Sequence, residues 1–151
     1  MKIMLSKEGV MPTRAHTWDG GLDLYTPVDV IVPGCKVNPF VSILGGDVDV
    51  GSAIIDTLVH AEIPEGCCGL ILSKSGLNVK YGLTADGLID AHYTGSIHVK
   101  LYNHTRHAYQ FKAGDKIAQL VIVPCLLPDL ELVDSLEETD RGDNGFGSTG
   151  R

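Results

Sequence analysis

The last eleven residues of the chain combine glycines with side chains that bind ligands. They read RGDNGFGSTGR, from Arg141 to Arg151. The guanidinium of Arg141 suits phosphate oxygens, and the ring of Phe146 offers a flat face on which a base can stack. The hydroxyls of Ser148 and Thr149 add hydrogen-bond donors. We therefore interpret this segment as a ligand-binding arm rather than a frayed end.

A second group of candidate residues lies between glycines in the segment GLIDAHYTG, residues 87–95. Asp90 has the chemistry to orient or deprotonate a water molecule, and the ring of Tyr93 can pack on a sugar. Both precede the alternating segment SIHVKLYN, which has the pattern of a strand. A hairpin turn capped by its aspartate is the alternative interpretation of the same residues.

Three further polar features interrupt apolar sequence. Asp23 follows Gly20 and Gly21 at the start of a strand-like segment. The segment LSKSGL, residues 72–77, groups two hydroxyls, an ammonium and a glycine that together can hold phosphate oxygens. Taken alone, each of these two features is better explained as a polar turn. Gln119 lies in the apolar segment KIAQLVI, where a buried amide needs a hydrogen-bond partner.

The charge of the chain limits the ligands it can bind. It has 12 Lys and Arg residues against 19 Asp and Glu residues, a net charge of −7. This balance argues against binding of polymeric nucleic acid, so an anionic ligand must occupy a local pocket. The sequence has no run of 18 apolar residues and no signal-peptide pattern at its N-terminus, so we expect no membrane association and a cytoplasmic location.

Cysteine and histidine residues show no metal-binding pattern. The cysteines have no CxxC spacing, and Cys67 and Cys68 are too close in sequence for an ordinary disulfide, so we expect buried free thiols. His104 and His107 have no third ligand nearby and suit a solvated hairpin. We interpret the glycosylation sequon at Asn103 as a chance match.

Short alternating segments define the elements that must position these residues. Ile97, Val99 and Leu101 follow the two-residue period of a strand, and glycine- and proline-containing turns separate many such segments. No segment carries a long amphipathic helical pattern. These features predict an all-β sandwich, jelly roll or barrel. We expect one domain with a β core over residues 1–128, a connecting segment over 129–140 and the arm over 141–151.

Five segments, in this order, resemble the motifs of the trimeric dUTPases, the deoxyuridine 5′-triphosphate nucleotidohydrolases. They are GGLDLYT, SKSGL, GLIDAHYTG, GDKIAQLVI and RGDNGFGSTG. The resemblance implies a jelly-roll-like β-barrel with a flexible glycine-rich C-terminal arm. It also implies that the protein hydrolyses dUTP to dUMP and pyrophosphate with the help of Mg2+. This reaction keeps uracil out of DNA and supplies dUMP for thymidylate synthesis. The implied assembly is a homotrimer in which the arm closes over the site of a neighbouring subunit.

The resemblance further implies a role for each site residue. Asp90 orients the water that attacks the α-phosphorus, and Gln119 holds that water or the adjacent phosphate. Tyr93 lies under the deoxyribose and leaves no room for a 2′-hydroxyl. Asp23 contacts magnesium through metal-bound water, and Arg141 reaches the terminal phosphate. The other implied substrate contacts are Lys74, Ser75 and Gly76 near the scissile bond, Gly87 and Ile89 in the uracil-reading hairpin, and Phe146, Gly147, Ser148 and Thr149 on the arm.

The chain departs from the family pattern in three places. Lys74 stands where arginine is usual, which keeps the charge and loses the planar two-pronged donor. Residues 77–89, which correspond to the uracil-reading hairpin, are shorter than is familiar. Residues 35–52 look like extra sequence without a chemical role.

Three other functions compete with dUTP hydrolysis. A dCTP deaminase shares the fold but needs a catalytic glutamate in the strand after the third motif, and SIHVKLYN has none. A regulatory protein with a dUTPase fold would act by binding another protein, and the extra segment around Gly45 and Gly46 keeps that hypothesis open. A structural or sugar-binding jelly roll would explain the strands and leave the nucleotide motifs unexplained.

Overall fold

The structure is a computed structural model that describes residues 1–37, 48–140 and 142. These residues form twelve strands and one short helix. The strands are β1 (Ile3–Leu5), β2 (Gly21–Tyr25), β3 (Val30–Val32), β4 (Lys36–Val37), β5 (Val48–Asp49), β6 (Gly51–Asp56), β7 (Val59–Ala61), β8 (Cys67–Leu72), β9 (Leu83–Ile89), β10 (His98–Asn103), β11 (Tyr109–Phe111) and β12 (Lys116–Pro124), and the helix is α1 (Ser75–Tyr81).

A six-stranded antiparallel sheet organises the subunit. Its strand order is β2-β12-β8-β9-β10-β6, so strands far apart in sequence become neighbours. The longest strand, β12, pairs with β2 on one side and β8 on the other. The two-stranded pairs β1-β7, β3-β11 and β4-β5 complete the fold. The first and fourth motifs therefore lie on adjacent strands, β2 and β12, and the second motif directly follows β8.

Alternation along the strands builds the core, as the sequence predicts. In β10 the side chains of Val99, Leu101 and Asn103 are buried, whereas those of His98 and Lys100 are exposed. The prediction of an all-β, jelly-roll-like fold is confirmed. In the described part of the chain the helix has seven residues, none of them buried. No helix among these residues is long and apolar enough to cross a membrane.

The expectation of buried thiols is wrong. All four cysteines are free, as expected, but each is only partly buried. Cys67 and Cys68 begin β8, and Cys125 follows the end of β12, so these three cysteines lie at strand ends rather than in the middle of the sheet. Residues 125–140, which follow β12, form no regular strand, and residues 126–140 are exposed. The division into core, connecting segment and arm stays a prediction.

Asn103 is a structural residue at the end of β10. Its side chain is fully buried. The amide nitrogen donates to the carbonyl oxygens of Val32 and His107 at 3.3 and 2.8 Å, and its oxygen accepts from the backbone N–H and hydroxyl of Thr105 at 3.0 and 2.9 Å. These contacts join β10 to β3 and to the following turn. They support the interpretation of the sequon as a chance match, because the amide is not accessible.

Replacing Asn103 with alanine should lower the free energy of unfolding by about 1–3 kcal/mol, because the backbone groups that the amide satisfies would lose their partner. Denaturant titration measures this difference. The matched control is Asn78→Ala on the exposed surface of α1, which should change stability by less than about 0.5 kcal/mol. Equal stability of the two variants would contradict the structural role of Asn103.

Candidate functional site

Adjacent strands bring the first, second and fourth motifs into one cluster. Gln119 on β12 is paired with Asp23 on β2 and with Leu72 on β8. Ser73 and Lys74 follow directly after Leu72, so they reach the same end of the sheet. We call Asp23, Lys74, Lys116 and Gln119 the Asp23 cluster.

A buried carboxylate is the centre of this cluster. Asp23 is 6% exposed. Its Oδ1 accepts from Lys74 Nζ at 2.5 Å, and its Oδ2 accepts from Lys116 Nζ at 2.7 Å. Burial alone would raise the pKa of Asp23, but hydrogen bonds and charges from Lys116 and Lys74 outweigh it and hold that pKa below its ordinary value. The hydrogen bond to Asp23 raises the pKa of Lys116.

Two ammonium groups against one carboxylate leave the cluster with a net positive charge. The whole chain carries −7, so this partly buried excess of positive charge is local. The ammonium groups stay accessible, since the side chains of Lys74 and Lys116 are 25% and 40% exposed. Such an arrangement suits an anion with several oxygens, such as a phosphate chain.

Lys116 is a site residue that sequence reasoning missed. Three positions separate it from Gln119, so a regular strand would place the two side chains on opposite faces. A register shift between Lys116 and Ala118 pairs Lys116 with Tyr25 instead, two residues from Asp23 on the same face of β2. This bulge turns the lysine towards the carboxylate. Nothing in the segment GDKIAQLVI signals the bulge.

Gln119 has the partner that its position in an apolar strand requires. Its Nε2 donates to the carbonyl oxygen of Ser73 at 3.2 Å. The amide also lies against Gly21, where an added Cβ would come within 2.5 Å of Gln119 Oε1. Gly21 therefore gives the amide the space it occupies beside Asp23.

The second-motif residues after Lys74 start the helix. Ser75 and Gly76 form the first residues of α1, and both are exposed. A Cβ added at Gly76 would meet nothing within 4 Å. Among the described residues, neither of the two makes a side-chain contact that explains its type.

The third motif forms a tight turn at the end of β9. Asp90 and Tyr93 are exposed, and the N–H of Tyr93 donates to the carbonyl oxygen of Asp90 at 3.2 Å. His92 has a φ of 68°, a conformation that costs energy for a residue other than glycine. We call residues 90–95 the Asp90 turn.

Two cavities flank the Asp90 turn. One, of about 430 Å³, is lined by Tyr93, Thr94 and the N-terminal residues Met1 and Lys2. The other, of about 470 Å³, is lined by Asp90 together with Cys68 and Cys125. Burial and the neighbouring Cys125 raise the pKa of the Cys68 thiol. This thiol is therefore a poor nucleophile at neutral pH.

One subunit does not bring the Asp90 turn and the Asp23 cluster together. Ile89 is paired with Gly69, so Asp90 lies beside Cys68 at the start of β8. Lys74 follows the opposite end of that strand. At about 3.3 Å per residue, the distance along the chain from Cys68 to Lys74 is roughly 20 Å. The Asp90 turn and the Asp23 cluster therefore lie at opposite ends of β8.

The remaining candidate residues divide into two sets. Gly87 and Ile89 lie on the outer part of β9, where Gly87 is exposed and a Cβ added there would make only ordinary contact with Ile71 at 3.5 Å. The other set, Arg141, Phe146, Gly147, Ser148 and Thr149, lies outside the described residues.

Magnesium fits the Asp23 cluster only as an ion held through water. Among the described residues, no three His, Cys, Asp or Glu side chains come together as a ligand set. Each oxygen of Asp23 accepts one ammonium hydrogen bond, which leaves a further lone pair on each for water. Magnesium coordinated by phosphate oxygens and waters needs no more than this from the protein.

Comparison with known proteins identifies the family. The dUTPase family profile matches residues 47–150. The deoxyuridine 5′-triphosphate nucleotidohydrolase of Arabidopsis thaliana is 40% identical over 147 residues, covering 97% of this chain and 80% of the relative. The Candida glabrata enzyme of the same name is 34% identical, covering 100% of this chain and 96% of the relative. The chain belongs to the dUTPase family.

Solved dUTPase structures have the same fold. Staphylococcus bacteriophage 80alpha dUTPase with dUPNHPP superposes with a TM-score of 0.82 at 30% identity, covering 99% of this chain and 98% of that chain. A variant of the dUTPase from the Staphylococcus aureus phage phi11 superposes with a TM-score of 0.73 at 29% identity, covering 91% and 98%, and it coordinates a structural Mg(II) ion.

In this dUTPase-family chain, Gly21→Ala should displace the Gln119 amide, because the new methyl group would lie 2.5 Å from its oxygen. We expect a loss of about 0.5–1.5 kcal/mol in the free energy of unfolding, because the displaced amide loses its hydrogen bond to Ser73. Gly20→Ala is the matched control, since a Cβ there meets nothing within 4 Å. Denaturant titration of both variants tests the contact, and equal losses would refute it.

Proposed function

We propose that the chain hydrolyses dUTP to dUMP and pyrophosphate. One observation carries the proposal: a buried carboxylate holds two partly exposed ammonium groups beside Gln119, in a chain of the dUTPase family. The cluster supplies positive charge at a defined place in an acidic protein. Phosphoryl transfer depends mostly on such positioning and charge neutralisation.

The Asp23 cluster binds the phosphate chain. Lys74 exchanges its contact with Asp23 for phosphate oxygens, and Lys116 stays on Asp23 and keeps the carboxylate paired. Ser75 and Gly76 add contacts near the scissile bond. Gln119, fixed by Ser73 and Gly21, holds the attacking water or the adjacent phosphate. Asp23 would hold magnesium through a water molecule, and the ion would supply positive charge against the phosphate chain.

The Asp90 turn supplies the water-orienting group and the sugar contact. Asp90 accepts a proton from the water that attacks the α-phosphorus, which raises the nucleophilicity of that water. Tyr93 lies against the deoxyribose and excludes a 2′-hydroxyl. Gly87 and Ile89 present backbone groups to the uracil from the exposed part of β9.

A homotrimer with shared sites brings these groups together. The separation of roughly 20 Å within one subunit supports a site that takes its Asp90 turn from one copy and its Asp23 cluster from another. The glycine-rich arm closes over this site, with Phe146 on the uracil and Arg141 on the terminal phosphate. Closure excludes water other than the nucleophile.

Protein binding is a second candidate function. Phage 80alpha dUTPase, which shares this fold, belongs to the phage dUTPases described as controlling transfer of virulence genes. Residues 38–47 of the extra segment lie outside the described residues, so the hypothesis depends on the resemblance alone.

Pyrophosphate release measured in parallel with dUTP, dCTP, dTTP and UTP tests the proposed reaction. We expect release from dUTP in the presence of Mg2+ and a much lower rate in chelator. Ammonia release from dCTP would instead identify a deaminase. Absence of pyrophosphate release from every nucleotide would refute the proposal.

Asp90→Asn should lower turnover of dUTP by about 10²-fold or more, because an amide cannot accept the proton of the attacking water. Binding of the non-hydrolysable analogue dUPNHPP should change little, since the amide keeps the size of the side chain. Asp29→Asn, at an exposed aspartate that precedes β3 and lies outside the proposed site, is the matched control and should retain turnover. Full turnover in Asp90→Asn would remove Asp90 from its proposed role.

A further inference from the structure

A network of hydrogen bonds from residues outside the sequence motifs anchors the Asp90 turn to β6 and β7. The hydroxyl of Tyr93 donates to the carbonyl oxygen of Ser96 at 2.9 Å. The hydroxyl of Ser96 donates in turn to Asp56 Oδ1. The ring of Tyr93 folds back over Gly95, where an added Cβ would lie 2.4 Å from the phenolic oxygen. The position of this ring is therefore set by its contacts with Ser96 and Gly95.

Asp56 is the hub of the network. Its Oδ1 also accepts from the N–H of Leu58 at 2.9 Å, and His98 Nε2 lies 3.7 Å from its Oδ2. Asp56 ends β6 opposite His98 at the start of β10, so the sheet register fixes both residues. Burial alone would raise the pKa of Asp56, but hydrogen bonds from Ser96 and Leu58 and the nearby His98 and His60 outweigh it and lower that pKa. The hub is therefore anionic at neutral pH.

A second anchor reaches the turn from β7. The Nδ1 of His60 lies 2.8 Å from the carbonyl oxygen of Thr94, and its Nε2 lies 3.0 Å from the hydroxyl of Ser6. When Nδ1 carries the proton, it donates to Thr94 and Nε2 accepts from Ser6. The backbone on both sides of Gly95 is thus tied to strands of the core, through Thr94 on one side and Ser96 on the other.

We propose that Asp56, Ser96 and His60 are positioning residues that hold the Tyr93 ring in place and thereby set the preference for deoxyribose over ribose. This inference rests on the proposed function, in which Tyr93 lies against the sugar. None of the three residues touches substrate; each acts through the Asp90 turn.

Rigidity is what a steric filter of this kind requires. A 2′-hydroxyl adds one oxygen atom, so a ring that moves by about 1 Å makes room for it, and displacements of that size change rates by up to about 10²-fold. The ring is 44% exposed, so packing leaves much of it unrestrained. Its hydrogen bond to Ser96 and the tie from Ser96 to Asp56 supply the restraint that packing does not.

Ser96→Ala tests the inference. The variant keeps the carbonyl oxygen that Tyr93 contacts and removes only the hydroxyl tie to Asp56. We expect the ratio of kcat/KM for dUTP to kcat/KM for UTP to fall by about tenfold, mainly through a gain with UTP. Asp56→Ala, which removes the hub, should lower the ratio at least as far.

The matched control is Asp29→Ala. Asp29 is an exposed aspartate that likewise accepts two hydrogen bonds, from Lys112 Nζ at 2.6 Å and Ala113 N at 3.0 Å, and it lies outside the Asp90 turn and its anchors. This variant should keep the wild-type ratio.

His60→Gln and His60→Ala test the second anchor. The glutamine amide can still donate to Thr94, so His60→Gln should keep more of the preference for dUTP over UTP than His60→Ala.

The outcomes separate failure of this inference from failure of the proposed function. A wild-type protein that releases pyrophosphate from no nucleotide contradicts the function itself. A wild-type protein that prefers dUTP, with Ser96→Ala and Asp56→Ala keeping the full preference, overturns the inference, even if their melting temperatures fall. Loss of preference in Asp29→Ala to the same extent would also overturn it.

Discussion

The contact of buried Asp23 with Lys74 and Lys116 holds together the cluster that we propose binds phosphate. A buried carboxylate without a partner is costly, so the fold depends on at least one of the lysines staying in place. With two lysines present, one ammonium group can move to a phosphate while the other stays paired with Asp23. The same contact fixes the end of the sheet, since Asp23 and Gln119 lie on adjacent strands and Ser73 directly follows β8. The ion pairs of Asp23 and the pairing of β2, β12 and β8 thus stabilise the same end of the sheet.

The rigidity of the sheet imposes the second constraint. β8 separates the Asp23 cluster at one end from the Asp90 turn at the other, and no side chain spans such a distance. We therefore propose that the groups acting on one triphosphate come together between copies of the chain. Each half can be held firmly by its own strands, the first by ion pairs and the second by the Asp56 network. In such an assembly, the interface between the copies would set the distance between the Asp23 cluster and the Asp90 turn.

Local sequence patterns predicted the parts of this arrangement that depend on local chemistry. Alternation identified the strands, and the amide in an apolar strand indicated that Gln119 has a partner, which is Ser73. Contacts made across the sheet were not predictable. Lys116 reaches Asp23 because of a bulge, and Asp56 meets Ser96 because β6 and β10 pair at the edge of the sheet. Cysteine is usually a buried residue type, so the cysteines were expected to be buried. Those at strand ends are only partly buried.

Activity of mixed assemblies tests most directly whether sites are shared between copies. Asp90→Asn and Gln119→Ala subunits, each expected to be nearly inactive alone, would be refolded together and assayed for pyrophosphate release from dUTP. With random mixing in equal amounts, about a quarter of the sites would join an intact Asp90 turn to an intact Asp23 cluster from another copy, so about a quarter of wild-type activity should return. A mixture that stays as inactive as its separate components, although it assembles, would show that each site lies within one subunit and would contradict this account.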